Sequence, residues 1–144
     1  MNNIGDEVVV LDKSAFLDLL LGTPEGKVVR DTLFGRKVHT TDHAEVGVAS
    51  ALRVMGQSGV LAQRDAERMI RRIVEAPFTT HLTRELLVSA VARRDLRLGD
   101  ALCVEVSHRL TAPLVTTDSR LAGVWPQSWL ITAVSAMAQL SRIE

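Results

Sequence analysis

Short runs of apolar residues alternate with longer amphipathic segments along this chain. The runs at residues 8–11 and 114–116 are almost wholly apolar and rich in valine. Runs of this kind are typical of central strands in a parallel sheet, where helices cover both faces. Weaker strand signals occur at residues 38–41, 77–79 and 129–132. We therefore expect several short strands, with the two most apolar runs at the centre of a sheet.

Segments with helical spacing lie between these strands. Thr23 and Pro24 are typical of a helix start, and Asp42 begins a segment in which Val46 and Leu52 follow a helical spacing. The predicted helices cover residues 14–21, 25–34, 42–56, 65–74, 83–93 and 100–110, with a short helical turn at 118–122. Strands that alternate with helices indicate an α/β fold with a mainly parallel central sheet flanked by helices.

The composition is that of a globular protein without strong charge. The 144 residues fit a single domain spanning 1–144, in which we expect the tail after about residue 133 to be loosely ordered. Seventeen basic residues balance seventeen acidic ones, so charge alone does not indicate a nucleic-acid-binding protein. Cys103 has no second cysteine to pair with, and Asp6 and Glu7 stand where a signal peptide would be basic. With no apolar run long enough to span a membrane, we expect a cytoplasmic protein.

Four acidic residues occupy positions that a parallel α/β fold brings to one edge. Asp12 and Asp118 follow the two most apolar strands, and Glu45 and Asp100 fall in the first turns of predicted helices. Ligands of open α/β sheets bind at the carboxyl ends of the strands. Clustered carboxylates repel one another, and a divalent cation relieves that repulsion. Oxygen ligands select magnesium or manganese, which activate water for phosphodiester hydrolysis.

Each acid also has a purely structural interpretation. Asp12 and Asp118 are suited to cap the helices that follow them. Asp42 and Glu45 have the spacing of a capping box, and Asp100 would interact favourably with a helix dipole. Position and residue type therefore leave both interpretations open.

The local sequences around these acids resemble the four motifs of the PIN-domain family, in the same order. They are Val-Val-Val-Leu-Asp-Lys-Ser-Ala at 8–15, Ala-Glu-Val at 44–46 followed by Ala-Leu-Arg at 51–53, Leu-Gly-Asp-Ala-Leu at 98–102, and Leu-Val-Thr-Thr-Asp-Ser-Arg-Leu at 114–121. The set is most similar to VapC toxins, the ribonuclease partners in bacterial and archaeal toxin–antitoxin pairs.

This resemblance implies a PIN-like three-layer sandwich and an endoribonuclease that depends on Mg²⁺ or Mn²⁺. It also implies an RNA substrate, a homodimer and inhibition by a VapB-type antitoxin. The metal-centred acids would be Asp12, Glu45, Asp100 and Asp118. Ser14 would orient a metal-bound water or a neighbouring carboxylate, and Thr116 would brace the same edge.

Two positions depart from the family pattern. Lys13 stands where small residues are common, and Ser119 and Arg120 stand where some relatives carry a further acid. The number of metal ions therefore stays open. Arg97 lies close to Asp100 and is the best candidate for contact with RNA phosphate, although a solvated helix face also explains it.

Apolar residues on the first two helices exceed what one small sheet needs. Phe16, Leu17, Leu20, Leu33 and Phe34 fit a dimer interface, an antitoxin groove or an ordinary core.

Two other functions remain as alternatives. One is a catalytically weak PIN domain that serves as a protein- or RNA-binding module. The other is a phosphate-handling doubly wound domain of another family, which is disfavoured because Asp-Lys-Ser-Ala stands where a glycine-rich loop would follow the first strand.

Overall fold

A central sheet of five parallel strands organises residues 7–132, the part of the chain that the computed structural model describes. The strand order is β3-β2-β1-β4-β5, and every neighbouring pair is parallel. The strands are β1 (Val8–Leu11), β2 (Lys37–Thr41), β3 (Thr79–His81), β4 (Leu114–Thr116) and β5 (Ser128–Leu130). The α/β prediction with a parallel sheet is confirmed.

Seven helices connect these strands. They are α1 (Lys13–Leu21), α2 (Pro24–Leu33), α3 (Asp42–Ser58), α4 (Gln63–Glu75), α5 (Thr83–Val91), α6 (Leu98–Leu110) and α7 (Ser119–Val124). No helix within residues 7–132 is long and apolar enough to cross a membrane.

Strand β1 is central because its side chains pack on both faces of the sheet. Successive residues of a strand point to opposite faces. Val9 and Leu11 accordingly join one buried cluster with Phe16 and Leu52. Val10 joins a second cluster, whose members include Leu102, Leu114 and Leu121. The two clusters produce the expected three layers of helices, sheet and helices.

The first two helices form a tight hairpin that glycine makes possible. Gly22 ends α1 in the left-handed conformation, at φ 69°. Thr23 then caps α2 by accepting a hydrogen bond from the Gly26 amide at 3.0 Å, and Pro24 occupies the first turn. A Cβ at Gly26 would lie 1.9 Å from the Asp18 carbonyl oxygen, so only glycine permits this approach of α2 to α1.

The structure corrects several element boundaries. The third strand is residues 79–81 rather than 77–79, and the fifth is 128–130 rather than 129–132. Helix α5 ends at Val91 rather than near residue 93, and its N-cap position is Leu82, which makes no side-chain cap. The prediction for residues after 133 lies outside the described residues, and the single-domain assignment stays a prediction.

The inward face of α3 also differs from the prediction. Val46 and Val54 are 70% and 59% exposed, whereas Ala44, Val48 and Leu52 are buried. These three residues repeat every four positions, which gives one stripe along a helix. Val46 lies two positions from Val48 and therefore faces solvent.

Candidate active site

Strands β1 and β4 are neighbours in the sheet, and their carboxyl ends bring Asp12 and Thr116 together. The Asp12 amide donates to the Val115 carbonyl at 3.3 Å. The Thr116 hydroxyl donates to Asp12 Oδ2 at 2.5 Å and accepts a hydrogen bond from the Asp118 amide at 3.0 Å. Thr116 therefore links the first acidic motif to the last.

Asp12 is a buried carboxylate, only 3% exposed. Its Oδ1 accepts from the Ala15 amide at 2.8 Å, and the Ser14 hydroxyl lies 2.9 and 3.0 Å from its two oxygens. Burial raises the pKa of Asp12 to about 6, and the negative charge of Asp100 adds to this rise. The hydrogen bonds from Thr116, Ala15 and Ser14 oppose it. A nearby cation would therefore stabilise the ionised form of Asp12.

Asp100 and Asp118 are joined by one arginine. Arg120 Nη2 lies 3.1 Å from Asp100 Oδ2 and 3.5 Å from Asp118 Oδ2. The other oxygen of Asp118 caps α7, because Oδ1 accepts from the amides of Arg120 at 2.9 Å and Leu121 at 3.4 Å. The sequence shows that Arg120 stands where some relatives carry a further acid, but it does not indicate this pairing with Asp100 and Asp118.

The start of α6, which carries Asp100, packs closely against the start of α3. A Cβ at Gly99 would lie 2.8 Å from Cε1 of His43, so a glycine is needed for the imidazole to lie against this turn. Helices α3 and α6 therefore begin at the same edge of the sheet. Asp100 therefore lies towards the edge that Asp12 occupies, close enough for its charge to act on Asp12.

Glu45 lies towards the edge strand β3. Its Oε2 accepts from the Thr80 hydroxyl at 3.3 Å. Burial raises the pKa of Glu45, with a further contribution from Asp42, while the hydrogen bond from Thr80 opposes the rise. The structure thus brings Asp12, Asp100 and Asp118 together through Thr116 and Arg120, and places Glu45 beside Thr80.

The capping-box interpretation of Glu45 is wrong. Thr41 caps α3 by accepting from the Ala44 amide at 3.0 Å. Asp42 instead accepts from the amide of Thr83 at 3.0 Å and from its hydroxyl. Thr83 therefore anchors α5 to α3. With this role removed, the contact with Thr80 is what positions Glu45.

A hydroxyl network that the sequence did not reveal ties this edge to the α1–α2 hairpin. Thr117 donates through its hydroxyl to Asp18 at 2.8 Å and through its amide to Ser14 Oγ at 3.2 Å. Thr23 donates to the other Asp18 oxygen at 3.0 Å. Ser14 Oγ also lies 3.2 Å from the Thr116 hydroxyl, so contacts with Asp12, Thr116 and Thr117 fix its position. In the sequence, the pair of adjacent threonines at 116 and 117 is the signal that could have indicated this network.

Lys13 and Arg97, the two basic residues considered near the site, differ in their surroundings. The aliphatic part of Lys13 packs against Gly47 of α3, where an added Cβ would lie 3.0 Å from Lys13 Cδ. Arg97 is exposed at the N-cap position of α6, and its carbonyl accepts from the Ala101 amide at 2.9 Å. Arg97 remains a candidate for substrate contact, and Lys13 contributes its stem to packing.

The donor set at this edge suits a hard divalent cation, although the carboxylates are not gathered around one point. Carboxylate and hydroxyl oxygens are the donors that magnesium and manganese prefer. Among residues 7–132, no group of three or more His, Cys, Asp or Glu side chains lies close enough to hold a metal. In this arrangement, the positive charge between Asp100 and Asp118 comes from Arg120.

Comparisons with known proteins identify the family. The PIN-domain family model matches residues 9–124. The chain is 39% identical over 127 residues to "Ribonuclease VapC3" of Mycobacterium tuberculosis, covering 87% of this chain and 93% of that protein. It is 28% identical over 116 residues to "Ribonuclease VapC12" of the same organism, covering 80% and 90% of the two chains.

A solved structure supports the fold independently. The crystal structure of PAE2754 from Pyrobaculum aerophilum superposes with a TM-score of 0.61 at 20% sequence identity, covering 93% of this chain and 89% of the other. The family match extends from β1 to the end of α7 and so includes every acid described above. This chain therefore belongs to the PIN-domain family and is a PIN domain of the VapC type.

Proposed function

We propose that this protein is an endoribonuclease of the VapC type, the toxin of a toxin–antitoxin pair, and that Mg²⁺ or Mn²⁺ is its cofactor. The observation that carries the proposal is that Asp12, Asp100 and Asp118 lie at one sheet edge, linked through Thr116 and Arg120, in a chain 39% identical to a protein named as a ribonuclease. These three carboxylates would hold the cation, and Glu45 of α3 would complete the site from its position beside Thr80.

The protein groups at this edge supply charge and orientation. When bound, the divalent cation would lower the pKa of a water and balance the charge of the phosphodiester. Ser14 and Thr116 fix both oxygens of Asp12 by hydrogen bonds, so its orientation is set before substrate arrives. Arg97 is exposed and close in sequence to Asp100, which suits contact with an RNA phosphate.

The proposal is tested by cleavage of RNA by the purified protein, with Mg²⁺ or Mn²⁺ and with excess chelator. Asp12→Asn and Asp100→Asn are the site variants. Asp65→Asn is the matched control, because Asp65 pairs with Arg68 on the surface of α4. We expect cleavage by the control and none by the site variants or in chelator. Full activity of either site variant would overturn the mechanism.

A second candidate is a PIN domain with weak catalysis that acts as a binding module. The observation that favours it is the ion pair of Arg120 with Asp100 and Asp118, in a site where no three acids within residues 7–132 surround a common point. Calorimetric titration of the folded protein with Mn²⁺ separates the two functions. Absence of binding would favour the module, and binding would favour the nuclease.

The proposal includes a VapB-type antitoxin, a homodimer and a cytoplasmic location. Phe16 and Leu33 are core residues, and Leu17 and Leu20 pack against the core, whereas Phe34 is 87% exposed. Phe34 borders a groove of about 260 Å³. An exposed aromatic side chain beside a groove suits an apolar helix of a partner. Size-exclusion chromatography with light scattering would test the dimer.

A further inference from the structure

Arg120 holds two partly buried acids of the proposed metal site, Asp100 and Asp118. Its Nη2 is within 3.5 Å of one oxygen from each of Asp100 and Asp118. These are the carboxylates that the proposed function assigns to a divalent cation. An arginine and a metal ion cannot share this place without strong repulsion, because both are positive. Resting on the proposed function, we propose that Arg120 is a removable counter-ion, which holds Asp100 and Asp118 together in the metal-free protein and gives way to the cation.

The burial pattern suits removal of the guanidinium. The Arg120 side chain is 50% exposed, whereas those of Asp100 and Asp118 are 22% and 31% exposed. The guanidinium can therefore rotate into solvent while the carboxylates remain at the sheet edge. Exposed ion pairs are weak, so a divalent ion can displace this one.

The backbone of Arg120 is anchored separately from its side chain. Its amide donates to Asp118 Oδ1 at 2.9 Å, as part of the cap of α7. This bond does not depend on the guanidinium, so the helix start remains in place when the side chain swings out. Asp118 thus keeps Oδ1 in the cap while Oδ2 changes partner from arginine to metal.

The counter-ion role differs from that of an ordinary surface ion pair in its effect on metal binding. A structural pair stabilises the fold equally with and without metal. A counter-ion competes with the metal, so its removal weakens the metal-free protein and strengthens metal binding. On removal of the guanidinium, the counter-ion role therefore predicts tighter Mn²⁺ binding, whereas the structural role predicts unchanged Mn²⁺ affinity.

The experiment compares Arg120→Gln, Arg120→Lys and Arg68→Gln with the wild type by calorimetric titration with Mn²⁺. Thermal unfolding is measured in chelator and in saturating Mn²⁺. Arg68 is the matched control, an exposed arginine paired with Asp65 at 2.7 Å. We expect Arg120→Gln to bind Mn²⁺ about three- to tenfold more tightly and to show a larger Mn²⁺-induced rise in Tm, as the loss of one or two exposed ion pairs implies. Arg120→Lys, which keeps the charge, and Arg68→Gln should stay near the wild type.

The outcomes separate this inference from the proposed function. Suppose that the wild type binds Mn²⁺ and loses cleavage in chelator. Equal or weaker Mn²⁺ binding by Arg120→Gln would then overturn the counter-ion role alone. If the wild type binds no Mn²⁺ and cleaves RNA in chelator, the counter-ion role and the proposed metal dependence are overturned together.

Discussion

Replacement of Asp12 by asparagine should stabilise the metal-free protein at neutral pH while abolishing cleavage. Asp12 is buried among hydroxyls, an amide and the charge of Asp100, and its pKa is raised from 3.8 to about 6. Its ionised form is therefore unfavourable in the folded protein. Asparagine has nearly the same shape and no charge, so it removes this penalty together with a proposed metal ligand.

The magnitude follows from the pKa difference between the folded and unfolded chains. A rise of about two units corresponds to about 3 kcal/mol at 1.36 kcal/mol per unit. Because the folded state holds its proton more tightly, the penalty is absent below about pH 4, grows as the pH rises from 4 to 6, and is complete above pH 6. Asparagine keeps an oxygen for the Ala15 amide but disturbs the bond from Thr116, a loss of about 1 kcal/mol. The net gain above pH 6 is about 1–2 kcal/mol.

The assay is urea unfolding of the wild type and Asp12→Asn in chelator at pH 4.5, 6.0 and 7.5. We expect the variant to gain stability relative to the wild type as the pH rises, with Asp65→Asn as the control that shows no such trend. In saturating Mn²⁺ the order should reverse, because only the wild type gains the binding free energy. A variant that is less stable at pH 7.5 in chelator, or a difference that does not change with pH, would refute this reasoning.

Three further substitutions test separate parts of the site and fold. Thr116→Val removes the hydroxyl between Asp12 and the Asp118 amide, so we expect the free energy of urea unfolding to fall by about 2 kcal/mol and cleavage to become slower. An unchanged stability and an unchanged cleavage rate would exclude the bracing role of Thr116. Glu45→Gln should reduce the cleavage rate by roughly tenfold or more, as expected for one catalytic group, and should leave the Tm unchanged. A wild-type cleavage rate would exclude Glu45 from catalysis. Glu105→Ala removes the buried partner of Arg93, 2.6 Å away, so stability should fall by about 2 kcal/mol while cleavage per folded molecule stays constant; lost cleavage would contradict a purely structural role.

The centre of the sheet could be predicted from the sequence because its strands are covered on both faces. β1 and β4 are buried along nearly their whole length, and their apolar runs gave the correct bounds. β3 could not be placed as well, since Thr79 and Thr80 are exposed at the sheet edge. Its position is determined by pairing with β2, in which Thr40 lies opposite Thr80. Such pairing leaves no apolar pattern in the strand.

In the site, as in the sheet, positions set by neighbouring residues of the sequence could be predicted, and positions set by distant residues could not. Asp12 directly follows the buried strand β1 and Asp118 lies two residues beyond the buried strand β4, so their place at the sheet edge could be predicted. The direction of Glu45 could not, because its partner Thr80 lies 35 residues away in sequence. The spacing of Asp42 and Glu45 indicated a capping box, but Thr83, 41 residues further along the chain, binds Asp42 instead. Sequence spacing describes only contacts within one turn of a helix.

For Asp12 and Asp118, capping a helix and the proposed metal binding are compatible. Each carboxylate has two oxygens, and in both residues Oδ1 accepts from the amides of the following helix. Oδ2 faces Thr116 in Asp12 and Arg120 in Asp118. The cap therefore fixes the direction in which the second oxygen points. An acid that follows a buried strand and begins a helix is thereby held in place by the backbone, which favours its use as a ligand at this edge.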